Sequence, residues 1–534
     1  MNSAHSIDSS AASDISDLIH VLCQNHHLND RPGIARDLHD ICRRIVNFGT
    51  VIQLLEKIEA NLYLIPDPAA AMTGLDRLVS NQPDPLQFTL SLIEKERTFQ
   101  RLLQCLGTST FFMQTIISQF QQFPDLFQPD FNSAEFLRNE SLTFVMTEDN
   151  ETLASDALRR FRQRITLAIG ASDLFEHPPL SQTTQAISNL ADACLNAALS
   201  WSIARNTKKY GQPRSATGQA CRLVAMAMGK LGGQELNYSS DVDLIFIYDE
   251  DGQTPGQRPL PARDFFTRVI TDFLKVMSGS AGSGFVLRVD LRLRPEGAQG
   301  PMLMTLEQTM NYYESVGRTW ERQALIKIRP CAGDFELGKE FQTRIEPFVY
   351  RRFLNSVEIA EIQAMKRRIE HRSQLAGVAE TDVKTGHGGI RDVEFVVQFL
   401  QLLNGCTLQK LRCNNTLQAL VNLKETNCIT PEEHLIMRRN YIFLRNIEHR
   451  LQLMDDRQTH RIPASGQSKL LLARLMGFQP LNAWESSDAP FERFNREYQK
   501  ITAENRDILN RLLHNTFQME SEHGPDLVAD LILD

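Results

Sequence analysis

The sequence predicts an α+β protein that is predominantly helical, with one small mixed sheet between N-terminal helices and a C-terminal helical bundle. Three observations carry this prediction. Apolar residues recur at three- and four-residue spacing over most of the chain, the period of an amphipathic helix. Short continuous or alternating apolar runs, the mark of strands, concentrate between Arg222 and Pro295. Glycine- and proline-rich stretches bound those runs. The expected divisions are a helical region with a disordered start at 1–135, a sheet-bearing domain at 136–345 and a helical bundle at 346–534.

The first segment, MNSAHSIDSSAASDIS, has no basic n-region or apolar h-region, so it reads as a disordered tail rather than an export signal. From Asp17 to Gln122 the pattern is helical, interrupted at Pro66, Pro68, Pro83 and Pro85. Ile41, Ile45 and Val46, then Leu86, Leu90 and Ile93, mark apolar faces. Phe111, Phe112, Phe120 and Phe123 read as packing residues. A second helical stretch, Glu151 to Tyr210, carries Arg159, Arg160, Arg162 and Arg164, expected as a solvated face or as a phosphate or protein contact.

Leu223 to Met228 and Leu244 to Tyr248 are short aliphatic and aromatic runs, expected as buried strands. Between them lies a glycine turn, Gly229-Lys230-Leu231-Gly232-Gly233, then Ser240 and the pair Asp241 and Asp243. Residues two apart on a strand point the same way, so the two aspartates converge while Val242, Leu244 and Phe246 face the other side. A cation between two carboxylates removes their repulsion, and Mg²⁺ prefers oxygen ligands shared with water and phosphate. A glycine turn lets backbone N–H groups approach an anion. It is not a Walker motif, since Val224 stands where the first glycine would be. Alone, the aspartates also fit a turn or a helix cap. The ordered combination is what suggests a metal–nucleotide site.

Asp249 to Arg263 reads as an exposed loop, Asp264 to Met277 as a helix and Ser278 to Gly284 as a flexible linker. Phe285 to Pro295 alternates: Leu287, Val289, Leu291 and Leu293 on one face, Arg288, Asp290, Arg292 and Arg294 on the other. This reads as a strand stopped by Pro295. Its acid framed by arginines fits either solvated charges or a metal–triphosphate cleft. Tyr312 to Asp334 holds Trp320, Glu321, Arg322, Lys327 and Arg329, with Lys327 and Arg329 as candidates for phosphate or an acidic surface, or as solvated helix ends. From Pro347 onward the pattern is nearly all helical, and Glu358 to Arg372 is strongly charged. In DVKTGHGGIRDVEF a glycine turn opens a helix bearing Arg391, Asp392 and Glu394, either a plain turn or an anion-facing N-terminus. His387, His449 and His460 have no partner at metal-ligand spacing.

Composition bounds the function. The chain has 534 residues, 42% hydrophobic and 23% charged, as in an ordinary globular protein. A net charge of −8 argues against a nucleic-acid binder. Nine cysteines without C-x-x-C pairs fit free thiols in a reducing cytoplasm. No apolar run approaches the roughly 18 residues needed to span a bilayer.

The stretch GKLGGQELNYSSDVDLIF resembles the nucleotidyltransferase superfamily that includes DNA polymerase β. More closely, it is similar to the bifunctional glutamine synthetase adenylyltransferase/adenylyl-removing enzymes. VDLRLRPEG, the Trp-Glu-Arg stretch ending in Lys-x-Arg, and a C-terminal region similar to the PII-uridylyltransferase bundle extend the resemblance over roughly residues 90 to 515. It implies that Asp241, Asp243 and Asp290 are catalytic and hold Mg²⁺, two ions in all. Gly229, Lys230, Gly232, Gly233, Ser240, Arg292, Arg294 and Lys327 would meet nucleotide or phosphate. ATP, ADP and phosphate would be substrates or products, and glutamine synthetase the partner, with a PII signal protein as a second. Gly317 to Arg322 and Pro347 to Arg352 look more like the N-terminal, adenylyl-removing module of such enzymes. The family's chains are about twice as long, so the expectation is an N-terminal portion that removes AMP from glutamine synthetase by phosphorolysis. The alternatives are AMP attachment by this module, uridylyl transfer to a PII protein, or a non-catalytic nucleotide- or PII-binding module.

Overall fold

The computed structural model describes residues 9–25, 32–119, 131, 133–279, 284–351, 358, 380–455, 459–464, 466–479, 481, 485–486 and 488–521. Helices dominate them, around a small mixed sheet. Residues 1–8 of the expected tail lie outside this set. The remainder of that tail is not disordered: a helix spans Ser9–Asn25. Ile15, Ile19 and Leu22 fall on one of its faces and are buried, which is what holds it.

Two of the four early prolines, Pro68 and Pro85, start helices rather than merely interrupt them. Asp67 caps Pro68–Ser80 by accepting from the N–H groups of Ala69 and Ala70, and Asp84 caps Pro85–Ile93 through Gln87. An Asp N-cap followed by Pro at the first helical position needs no proline N–H. Val46 departs from expectation. It lies past the end of the helix Pro32–Arg44 and is half exposed. Phe111 and Phe112 are core residues; Phe120 and Phe123 lie outside the described residues.

Two long helices, Glu151–Phe175 and Leu180–Tyr210, pack against each other and against Ala262–Ser278. The arginine row is not one solvated face. Arg162 is buried with its guanidinium 5.5 Å from the Phe285 ring centre, Arg164 pairs with Glu140 and Arg159 with Asp156. A helix turns 100° per residue, so positions 159, 160, 162 and 164 cannot share one face. Residues 280–283 of the expected linker, and the charged stretch to Arg372 apart from Glu358, are outside the described set.

The strands in chain order are β1 (Arg214–Ser215), β2 (Leu223–Ala227), β3 (Val242–Tyr248), β4 (Gly252–Gln253), β5 (Val289–Asp290), β6 (Leu303–Thr305) and β7 (Arg329–Gly333). β1 and β4 form a separate pair; the main sheet runs β5-β3-β2-β7, with β6 also beside β3. β2 is antiparallel to β3 and β7, whereas β5 and β6 run parallel to β3.

The two faces of this sheet belong to different apolar clusters. Leu223, Ala225, Ala227, Val242, Leu244 and Phe246 pack with the N-terminal helices. Val224, Met226, Met228, Ile245 and Ile247 pack with Phe341, Val383, Ile390, Leu444 and other C-terminal residues. Burial on both faces explains why these strands read as continuous apolar runs rather than alternating ones. The first cluster includes residues from Ile15 to Ala332 and also Leu453, so among the described residues it joins the helices before residue 120 to those after 133.

The expected strand Phe285–Pro295 is corrected. Only Val289 and Asp290 pair as a strand. Asp290 then accepts the N–H of Arg292, Leu291 accepts that of Arg294, and Arg294 accepts that of Gly297, a run of turns. The Arg294 guanidinium donates to the carbonyls of Leu291, Ala298, Gly300 and Pro301 at 2.8–3.1 Å. It clamps this coil in place of a ladder.

Candidate active site

β2 feeds directly into a short helical turn, Gly229–Gly232, and the Met228 N–H bonds the carbonyl of Asp243 at 2.9 Å. Asp243 therefore lies beside the turn. Gly229 sits at φ +55°, and a Cβ there would be 2.6 Å from Asp243 Oδ2. Only glycine fits both the left-handed backbone and the approach of that carboxylate. Gly229→Ala should lower stability by about 1–2 kcal/mol, read from the urea midpoint. An unchanged midpoint would mean that the backbone is not fixed in this conformation.

Across the sheet, Asp243 and Asp290 are direct partners in the parallel β3–β5 register. Asp241 stands at the mouth of β3. Burial, then the charges of Asp290 and Asp241, push the Asp243 carboxyl up to about 6. The two outer acids are balanced by arginine. Arg288 Nε is 2.6 Å from Asp241, and the same guanidinium bonds the Ser239 carbonyl. Arg292 grips Asp290 through Nε and a terminal nitrogen, with its own N–H on the same carboxylate at 2.8 Å. These bonds, led by the side chain of Arg292, hold the Asp290 carboxyl below the usual range. Phe285 lies against both Arg162 and Arg288. Ser240 is half buried between Ser239 and Asp241.

The structure thus brings Asp241, Asp243, Asp290, Gly229 and Arg292 together, with Ser240 adjoining Asp241 in the chain. It turns the other predicted contacts elsewhere. The N–H of Gly232 bonds the Met228 carbonyl at 2.9 Å and that of Gly233 bonds Gly229 at 3.1 Å, so neither is free for an anion. Gly232 is required instead by packing, since a Cβ would sit 1.8 Å from the Lys327 carbonyl oxygen. Lys230 Nζ is held by both Glu448 oxygens at 2.8 and 2.9 Å. Lys327 pairs with Glu235, which also accepts from Thr416. Arg329 pairs with Asp192 and bonds the Leu231 carbonyl. Arg294 clamps its own loop. These groups tie the sheet to the helices around it.

The sequence reading missed the partners Glu235, Asn237 and Glu448. Arg445 donates to Asn237 and to the Glu235 carbonyl, and the buried His449 contacts Asn237 at 3.0 Å. His460 lies 3.0 Å from Glu448. In the Gly-His-Gly-Gly turn, the Gly388 N–H is bonded by Asp392 at 2.8 Å, so the chain's own carboxylate takes the place of an external anion there.

Three carboxylates without His or Cys form a donor set suited to a hard divalent ion. Burial first, and then the two neighbouring carboxylates, raise the Asp243 carboxyl at their centre. As they stand, with Asp241 and Asp290 turned onto arginines, no three His, Cys, Asp or Glu side chains among the described residues converge on one ion position. A cation would have to displace those arginines.

A mixed sheet with a helical turn after its first long strand and aspartates on neighbouring strands defines the nucleotidyltransferase class. Residues 99–344 match the family model for glutamate-ammonia ligase adenylyltransferase, and 359–513 match that for GlnD PII-uridylyltransferase. The bifunctional glutamine synthetase adenylyltransferase/adenylyl-removing enzyme of Thioalkalivibrio sulfidiphilus is 38% identical over 69% of this chain and 37% of its own. That of Hahella chejuensis is 38% identical over 69% and 38%, and that of Pseudomonas aeruginosa 40% identical over 60% and 33%. Residues 99–344, a little under half of the chain, are thus similar to the glutamate-ammonia ligase adenylyltransferase family. The chain spans little more than a third of the length of the curated relatives it matches.

Proposed function

We propose that this chain moves AMP at a tyrosine of glutamine synthetase, and that its direction is removal by phosphorolysis. The observation that supports an enzyme is the gathering of Asp241, Asp243 and Asp290 beside the Gly229 turn in a chain whose relatives carry that name. Gly317 to Arg322 and Pro347 to Arg352 favour the removing module.

An oxygen of inorganic phosphate attacks the phosphorus of the AMP–tyrosine diester in line, the tyrosine oxygen leaves, and ADP is released. The three aspartates would hold Mg²⁺, which when bound would neutralise charge on the attacking and leaving oxygens. The chain's own part is positional. β3 and β5 fix Asp243 and Asp290 in register. Arg288 and Arg292, once exchanged for the cation, are placed to pair with phosphate oxygens. Ser240 would donate to the same group. A reducing cytoplasm suits the nine free thiols, and no helix among the described residues is long and apolar enough to cross a membrane.

The test offers the purified chain adenylylated glutamine synthetase with phosphate and Mg²⁺, and unmodified synthetase with ATP and Mg²⁺. ADP release in the first reaction alone is expected. AMP incorporation in the second would reverse the direction. Nucleotide binding without turnover in either would leave a regulatory module.

A further inference from the structure

We infer that Lys384, contributed by the C-terminal half, is the cation that contacts the phosphate of the bound nucleotide. This makes the site composite, with acids from the sheet and an anion contact from the helical half. The inference rests on the nucleotidyl-transfer reading above.

Side chains alternate along β3, so Asp243 shares the face of Ile245 and Ile247. That face packs on the C-terminal half, in the cluster that contains Val383 and Ile390. Val383 immediately precedes Lys384. The turn that carries Lys384 is fixed from several directions. Asp382 accepts the N–H groups of Lys384 and Thr385, Lys384 and Val383 accept those of Arg391 and Ile390, and Val383 donates to the His460 carbonyl at 2.8 Å. His460 contacts Glu448, Glu448 holds Lys230, and Lys230 follows the glycine that abuts Asp243. Lys384 is half buried at this junction, and its charge acts on Asp243, Lys230 and Glu448.

Its neighbours are already engaged: Lys230 by Glu448 and Lys327 by Glu235. Among the described residues, Lys384 makes no ion pair with a carboxylate. A lysine on an anchored turn, whose charge reaches the acid cluster without a carboxylate ion pair among the described residues, suits an anion seated between the two. A nucleotide phosphate or attacking phosphate has that charge.

The experiment measures binding of ADP with Mg²⁺, and of inorganic phosphate, to the full chain by calorimetry at several salt concentrations. Lys384→Ala should weaken ADP binding on the order of tenfold and flatten its salt dependence, as loss of one charge-assisted contact does. Lys384→Arg should stay within a few-fold of wild type, because it keeps the charge. The melting temperature without nucleotide should not move; if Lys384→Ala loses the fold, Lys384→Met keeps the apolar stem and gives the same reading. Unchanged ADP affinity in a folded Lys384→Ala, with wild type turning over normally, overturns the lysine assignment alone. A wild-type chain that binds neither ADP nor ATP overturns the proposed function along with it.

Discussion

Replacement of Asp243 by Asn should abolish AMP transfer and at the same time make the metal-free chain more stable. Asp243 is the central carboxylate, flanked by Asp241 and paired in register with Asp290. Losing a ligand that neutralises transition-state charge costs about 3 kcal/mol or more, a factor of at least 10² in rate. The gain in stability has the same source. Burial and two like charges raise this carboxyl from 3.8 to about 6 in the fold. The native state therefore binds more protons than the unfolded chain between those values, and wild-type stability falls as pH rises through that window. Above pH 6 the ionised group costs the fold about 1–3 kcal/mol, toward the lower end because part of the group meets solvent. Asn removes the charge but keeps the shape. Melting with a chelator present should show no advantage for the variant below pH 4 and a clear one at pH 7.5. A near-normal rate, or a lower melting temperature at neutral pH, would sink the assignment.

A second large effect is expected at Lys327. Lys327→Met should destabilise the chain by about 3–5 kcal/mol as measured by urea unfolding. Lys327 and Glu235 are both almost completely buried. Burial opposes the lysine's charge, yet Glu235 and Glu394 more than offset it, so the ammonium is held above its usual range. Removing it strands the Glu235 carboxylate without its counter-ion. Combining it with Glu235→Gln should recover much of the loss, because neutral partners carry no such penalty. A phosphate-contact role predicts the opposite pattern, with weak nucleotide binding and unchanged stability.

Local patterns were readable and distant partnerships were not. β2, the glycine turn and β3 follow from runs of apolar residues and from spacing that the strand geometry fixes. Asp241 and Asp243 converge for the same local reason. Asp290 is a candidate from its arginine frame, and the family resemblance gives it the ligand role, but nothing in Val289-Asp290 announces that it pairs with Val242-Asp243. The carboxylate partners of Lys230 and Lys327 were not legible because they stand 218 and 92 residues away. A lysine beside a glycine turn looks the same in sequence whether it meets a phosphate or a glutamate. The strand at 285–295 was overextended because true alternation there serves another end. Its last arginine clamps carbonyls, which no periodicity records. In DVKTGHGGIRDVEF the glycines and the helix they open are the local signal, and nothing in the sequence sets Lys384 apart from an ordinary turn lysine.

The double-sided burial of the sheet means that the chain cannot be read as a catalytic unit with a bundle attached. Adjacent residues in β2, such as Ala225 and Met226, answer to different neighbours, one to the helices before the sheet and one to those after it. The bundle is a supporting wall. Anything that shifted it by a fraction of an ångström would press on Met226, Met228 and Ile245, and through them on the ground where Asp243 stands.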